Sequence, residues 1–333
     1  LRNEKGGKLK RFFILFSIAA FSLLYADAVI ENYTKISMIG GMGSIESQTK
    51  TEIKGLKKAE DATVKMTGGI LGAVAGKHKR QVTIIRLDKD VIWNINHNQK
   101  TYTESPIAFP DLTEEAKTEK VEKPEYEIVK SEFSVKNTGN KKEINGFACQ
   151  EYVANWLLAI MKIETKEKTK STMMITLWAT PKNDLIKEFE KQENEFNKQL
   201  LAKIGTRVSP EQMKRFGAEF ITSMFSIEKD EVNKKMVNLS DELKKIEGYP
   251  IVTEIKWTLE GEKSKKETMT EEEEEMPKGM GEAFAQALAK KGEKKAGAET
   301  EPAFYSYVEV KSIKLSEVPE KDFEVPQGYK LVK

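Results

Sequence analysis

The sequence predicts an α+β protein in which two β-rich stretches flank a helical block, behind an N-terminal targeting segment. Three observations carry this. Residues 29–178 hold repeated runs that alternate polar with apolar, β-branched or aromatic side chains, the period of half-buried strands. From Asp184 the apolar spacing switches to the helical step of three to four residues, and strand character returns at 249–259 and 303–315. Residues 1–28 follow a third pattern, that of an export signal.

The signal reads in order. Lys5, Lys8, Lys10 and Arg11 form a basic start, residues 12–24 are apolar, and Ala26-Asp27-Ala28 is a small-x-small cleavage signature. The apolar run is shorter than the roughly 20 residues needed to span a bilayer, so cleavage after Ala28 is expected, leaving no stable membrane span. No cysteine follows the site for lipid attachment. The product is expected in the periplasm.

Composition narrows the function. The 333 residues carry 55 Lys+Arg, 53 Asp+Glu, two His and one Cys, a formal net charge of +2. Residues 1–28 take five basic groups (Arg2, Lys5, Lys8, Lys10, Arg11) and two acidic ones (Glu4, Asp27), so the mature chain nets −1. That balance gives no basic footprint for nucleic acid. One cysteine excludes a disulfide framework and any multi-cysteine metal site. Cys149, in the apolar run Phe147-Ala148-Cys149-Gln150, reads as a buried thiol, with pairing or reactivity as the other readings.

The strands follow in order. Residues 28–38, 44–53 and 58–66 alternate, and 83–87 and 91–95 flank the turn Asp88-Lys89-Asp90 as a hairpin. A turn at His97-Asn98-Gln99-Lys100 leads into 101–104, and the proline-bearing, charged stretch 105–124 reads as a connection. Residues 126–135, a turn at Asn137-Thr138-Gly139-Asn140, 149–156 and 171–178 repeat the strand–turn–strand pattern. A helical insertion over 183–248 opens at Asp184 as N-cap, with Leu185, Phe189, Phe196, Leu200 and Ile204 on one face. A second helix starts at Ser209-Pro210 and carries Met213, Phe216, Phe220, Met224 and Ile227. A third runs from Val232 to a stop at Gly248. Residues 260–301 form a charged low-complexity loop. Its acidic run 271–275 reads as solvated surface or, more sharply, as a cation-binding loop.

Catalytic signatures are missing. The segment Gly68-Gly69-Ile70-Leu71-Gly72-Ala73-Val74-Ala75-Gly76-Lys77 has three residues between Gly72 and Gly76 where a phosphate loop needs four, and His78 follows the lysine. It reads as an apolar loop beside lipid or over a cavity. His78 and His97 lack metal-ligand spacing, and no Gly-x-Ser-x-Gly occurs. The chain is therefore expected to be non-enzymatic, with no cofactor and no metal. Trp93, Tyr102, Tyr152, Trp156, Trp178 and Trp257 fall on strands and either pack a core or line an apolar cavity.

Residues 83–93, 100–104, Ile144-Asn145-Gly146-Phe147-Ala148-Cys149-Gln150-Glu151-Tyr152 and Phe323-Glu324-Val325-Pro326-Gln327-Gly328-Tyr329-Lys330 together carry a resemblance. They resemble an uncharacterised domain family of secreted bacterial proteins, distantly similar to the lipoprotein-sorting carriers of the Gram-negative periplasm (LolA-like). The resemblance spans about 29–178 and 249–333, and treats 29–333 as one domain. It implies a curved antiparallel sheet, an incomplete barrel, whose hollow face the helical insertion covers. It also implies a carried lipid or lipoprotein acyl chain as partner of a monomer. On that reading Trp93, Tyr102 and Trp156 form the apolar wall, and Phe216, Phe220 and Met224 the lid. The competing reading is an envelope structural or interaction protein whose core is filled by its own side chains.

Overall fold

The computed structural model describes residues 27–38, 43–68, 79–107, 126–166, 168–204, 239–261 and 302–332. Twelve strands form one sheet: β1 (Asp27–Met38), β2 (Gly43–Lys54), β3 (Lys57–Thr67), β4 (Lys79–Arg86), β5 (Val91–Asn96), β6 (Thr101–Pro106), β7 (Tyr126–Ile144), β8 (Phe147–Lys162), β9 (Lys168–Thr180), β10 (Tyr249–Gly261), β11 (Phe304–Ser316) and β12 (Lys330–Leu331). Helix α1 (Asp184–Ile204) and the short α2 (Leu239–Leu243) interrupt the strands, and a 3-10 turn covers Glu320–Phe323.

The order across the sheet is β12-β6-β5-β4-β3-β2-β1-β11-β10-β9-β8-β7. Two meanders therefore join along one seam, where β1 pairs with β11 antiparallel from Asp27 with Ser316 to Met38 with Phe304. A bulge between Glu31 and Asn32 interrupts that seam. All pairings are antiparallel except β12 with β6. An open sheet this wide curls under the right-handed twist of its strands.

Short turns set the register. Asn145 and Gly146 have φ of 52° and 83°, the left-handed pair of a type I′ hairpin joining β7 to β8. The turn expected at 137–140 is instead an excursion within β7: pairing resumes at Lys141 with Gln150 after Asn137 with Tyr152. Gly139 takes φ 80°, and the Asn137 carboxamide oxygen accepts its N–H. Pairing on both sides outweighs the local turn chemistry there. The N-cap also moves one residue: Asn183 Oδ1 accepts the Ile186 N–H at 2.9 Å, so Asp184 is the first helical residue.

Helix α1 lies on β11, β1 and β2. Its Ile186, Phe189 and Phe196 are fully buried against Ala28, Ile30, Ile53 and Ile313. Each phenylalanine contributes about 1.5–3 kcal/mol by leaving water. Phe189 meets Tyr249 edge to face, with centroids 6.0 Å apart. The opposite face of the first meander is covered by the C-terminal segment, whose Val318 and Phe323 pack on Val29, Ala59, Ile84 and Trp93. Sequence periodicity gave no element there, because one 3-10 turn and a two-residue strand carry no period. At the far edge, the Glu242 carboxylate of α2 accepts the Val135 N–H of β7 at 2.8 Å, a backbone donor that an added strand would otherwise use. The helix expected at 209–227 and the loop at 260–301 lie outside the described residues, apart from the end of β10.

Candidate functional site

Register lines up one apolar row across the second meander: Phe133 opposite Trp156, Trp156 opposite Met173, and Met173 opposite Trp257. Paired residues share a face, because side chains alternate strictly along each strand. The neighbouring rung, Val135, Ala154, Ile175 and Ile255, is equally apolar. Ile255 continues through Ser306 to Ile36, and Ile36 shares its side of β1 with Ile30, so this face is the one α1 covers further along. Phe133, Trp156 and Met173 are half-buried, whereas Trp257 is buried. Trp156 Nε1 donates to Ser131 Oγ at 3.1 Å, and Trp257 Nε1 donates to Ser171 Oγ. With both indoles satisfied, the row offers apolar surface without an unpaired donor.

Trp93 and Tyr102 sit elsewhere. Trp93 is opposite Ile84, Ile84 opposite Ala59, Ala59 opposite Glu52 and Glu52 opposite Val29, which places Trp93 on the face under the C-terminal segment. It is 8% exposed, and its Nε1 donates to Glu104 at 2.8 Å. Tyr102 packs on the same cluster. The structure therefore brings Trp93 and Tyr102 together and puts Trp156 on the opposite face. Phe216, Phe220 and Met224 lie outside the described residues.

Around the C-terminal segment the polar contacts are dense. Arg86 donates to both Asp88 oxygens at 2.8 and 2.7 Å, to the Phe323 carbonyl at 3.1 Å and to Glu324. Lys89 reaches Glu324 at 2.9 Å. Hydrogen bonding from Arg86 holds the Asp88 carboxyl down to about 2. At the outer end His97 Nδ1 meets the Tyr329 hydroxyl at 2.7 Å, and burial, then the Arg80 charge, lowers the imidazole's proton affinity. These groups fasten a covering segment; their charges are spent on one another.

One cavity of about 390 Å³ opens on that same face, lined by Glu31, Asn32, Lys50, Asp61, Arg80 and Lys311 among others. It is polar and charge-compensated: Arg80 grips Asp61, Lys50 lies 2.5 Å from Glu52, and Lys311 2.7 Å from Glu309. Asn32 Oδ1 is buried without a hydrogen-bond partner, on the side of β1 that Ile30 and Ile36 share. Cys149 is buried and unpaired, its Sγ 3.3 Å from the Phe147 carbonyl, and burial raises its thiol pKa.

Among the described residues no group of three or more His, Cys, Asp or Glu is arranged to hold a metal ion. No described helix is long and apolar enough to cross a membrane. The fold and its surfaces define a protein built on one large, almost wholly antiparallel sheet with a helix on one face and its own C-terminal segment on the other. No protein-family model matches the chain, and no curated protein matches it. The row residues Phe133 and Met173 were not singled out from sequence. The signal that finds them is the Asn145-Gly146 turn, which fixes the β7–β8 register and so sets each opposite pair.

Proposed function

We propose that the chain is an exported periplasmic protein without catalytic activity that holds a lipid or a lipoprotein acyl chain on the helix-side face of a curled, incomplete barrel. The observation that supports this best is the Phe133–Trp156–Met173–Trp257 row, a half-buried apolar strip whose indole donors already have partners. Acyl chains bind by leaving water, at about 0.8 kcal/mol per methylene. The strip supplies that surface without asking for any group to change its protonation. The helical insertion, with Phe216, Phe220 and Met224, supplies the lid in this reading, and Trp93 and Tyr102 anchor the C-terminal segment instead of touching ligand.

The test is uptake of a fluorescent fatty acid and a lipopeptide by delipidated protein. Trp156→Ala is expected to weaken uptake about tenfold, the loss of roughly 1.4 kcal/mol, and Trp93→Phe to leave it unchanged. Wild-type protein that takes up neither probe sinks the proposal. The second reading, an interaction protein with a filled core, draws support from the tail-covered face, which the protein's own Val318 and Phe323 fill. Organic extracts of protein isolated from periplasm, free of lipid by mass spectrometry, favour that reading.

A further inference from the structure

The first two residues of β1 do work that removal of residues 1–28 would erase. Ala28 is 0% exposed, opposite Ile53 on one side and Leu315 on the other, inside the cluster beneath α1. Asp27 is 7% exposed, and its Oδ2 accepts the Val318 N–H at 2.8 Å and pairs with Lys54 Nζ at 3.1 Å. The same Lys54 ammonium donates to the Val318 carbonyl at 2.8 Å. Asp27 and Lys54 thus clamp both backbone groups of Val318, the buried residue at which the chain leaves β11 to cover the far face.

Cleavage after Ala28 would strip the carboxylate from this clamp, leaving the Val318 N–H and the Lys54 ammonium without it. A buried donor that loses its acceptor destabilises the fold. The new α-ammonium would fall on Val29, which is buried between β2 and β11. An unpaired charge at such a place is costly. Cleavage two residues earlier keeps the clamp, and the new ammonium falls on Asp27, which carries its own carboxylate as a counter-charge. Such cleavage still presents a small residue, Ala26, beside the bond, although Leu24 then stands where a small-x-small site has its first small residue.

We propose that the chain is processed at the Ala26–Asp27 bond, so that Asp27 is the mature N-terminus. The inference rests on the export reading given above. A signal peptidase adds water across the peptide bond; the C–N bond breaks, Ala26 leaves with the signal as a carboxylate, and Asp27 keeps the amine. The freed ammonium then sits at the outer end of β1, and the whole strand stays in the sheet.

The full chain with its signal is expressed in a Gram-negative host, and the periplasmic fraction is read by intact mass and N-terminal peptide sequence. A mature form beginning at Asp27 is the expected result. A form beginning at Val29 overturns the assigned bond while leaving export standing. Uncleaved chain, retained in the cytoplasm or membrane, overturns the export reading and the assignment with it. A second measurement needs no export: chains beginning at residue 27 and at residue 29, each released from a cleavable tag, are melted side by side. The shorter form is expected to melt several degrees lower, and Asp27→Asn in the longer form to close part of that gap. Equal melting of the two forms overturns the structural ground for the assignment.

Discussion

At Arg86 a side chain only 5% exposed is tolerated because four acceptors surround its guanidinium: two oxygens of Asp88, the Phe323 carbonyl and Glu324. The Asp88 carboxyl, held at about 2 by that hydrogen bonding, against 3.8 for an unperturbed group, ties stability to pH. A depressed folded-state value contributes stability above the unfolded value and loses it as pH falls through the folded one. Unfolding followed in urea from pH 5 to pH 2 should therefore show a loss that Asp88→Asn removes. Glu193 on α1 works in the opposite direction, since burial raises its proton affinity. The folded state then holds that proton more tightly than the unfolded chain does. Its ionisation weakens the fold as pH rises through the carboxylate range, so Glu193→Gln is expected to raise stability at pH 7 and have little effect at pH 4. Of these groups, the turn at Asp88-Lys89-Asp90 was legible from its flanking β-branched runs. Glu324 was not legible as a partner, because it arrives from 238 positions away.

Among the elements, the C-terminal segment contributes most from the least regular structure. Phe323 is fully buried in a four-residue 3-10 turn and packs with Trp93, Ile84 and Val318. Phe323→Ala should cost about 3–5 kcal/mol, read as a lower urea midpoint with the slope unchanged. The strands themselves were legible. Alternation at 83–95 and 149–156 anticipated β4, β5 and β8, and the apolar spacing from Leu185 to Ile204 anticipated α1. Two things were not. Alternation separates the two sides of a strand but does not say what covers each, so Trp93 and Trp156 looked equivalent until the register put them on opposite faces. Turn chemistry at 137–140 predicted a turn, yet continued pairing with β8 reduces it to a bulge, and the hairpin falls at 145–146 instead.

At the scale of the molecule, the seam between β1 and β11 joins residues such as Asp27 and Ser316 that lie almost the whole chain apart. Contacts of that separation form late, because loop-closure entropy must be met before they contribute. Refolding of the chain should be slow, with amides of β4–β5 and β7–β9 protected in pulsed hydrogen exchange before those of β1 and β11. Simultaneous protection of the seam and the hairpins would contradict this order.

That seam has a consequence during synthesis. The ribosome releases β1 first and β11 nearly last, and at about 5–20 residues per second the interval is on the order of tens of seconds. Throughout it, the flank of β1 that β11 will take stands open as an unpaired strand edge, able to recruit the same strand of a nascent neighbour. Glu31 and Lys35, placed along that strand, put charge where such a pairing would begin. A chain interrupted before residue 304 lacks the strand that seals this edge, so such truncated products are expected to aggregate more readily than the 333-residue chain.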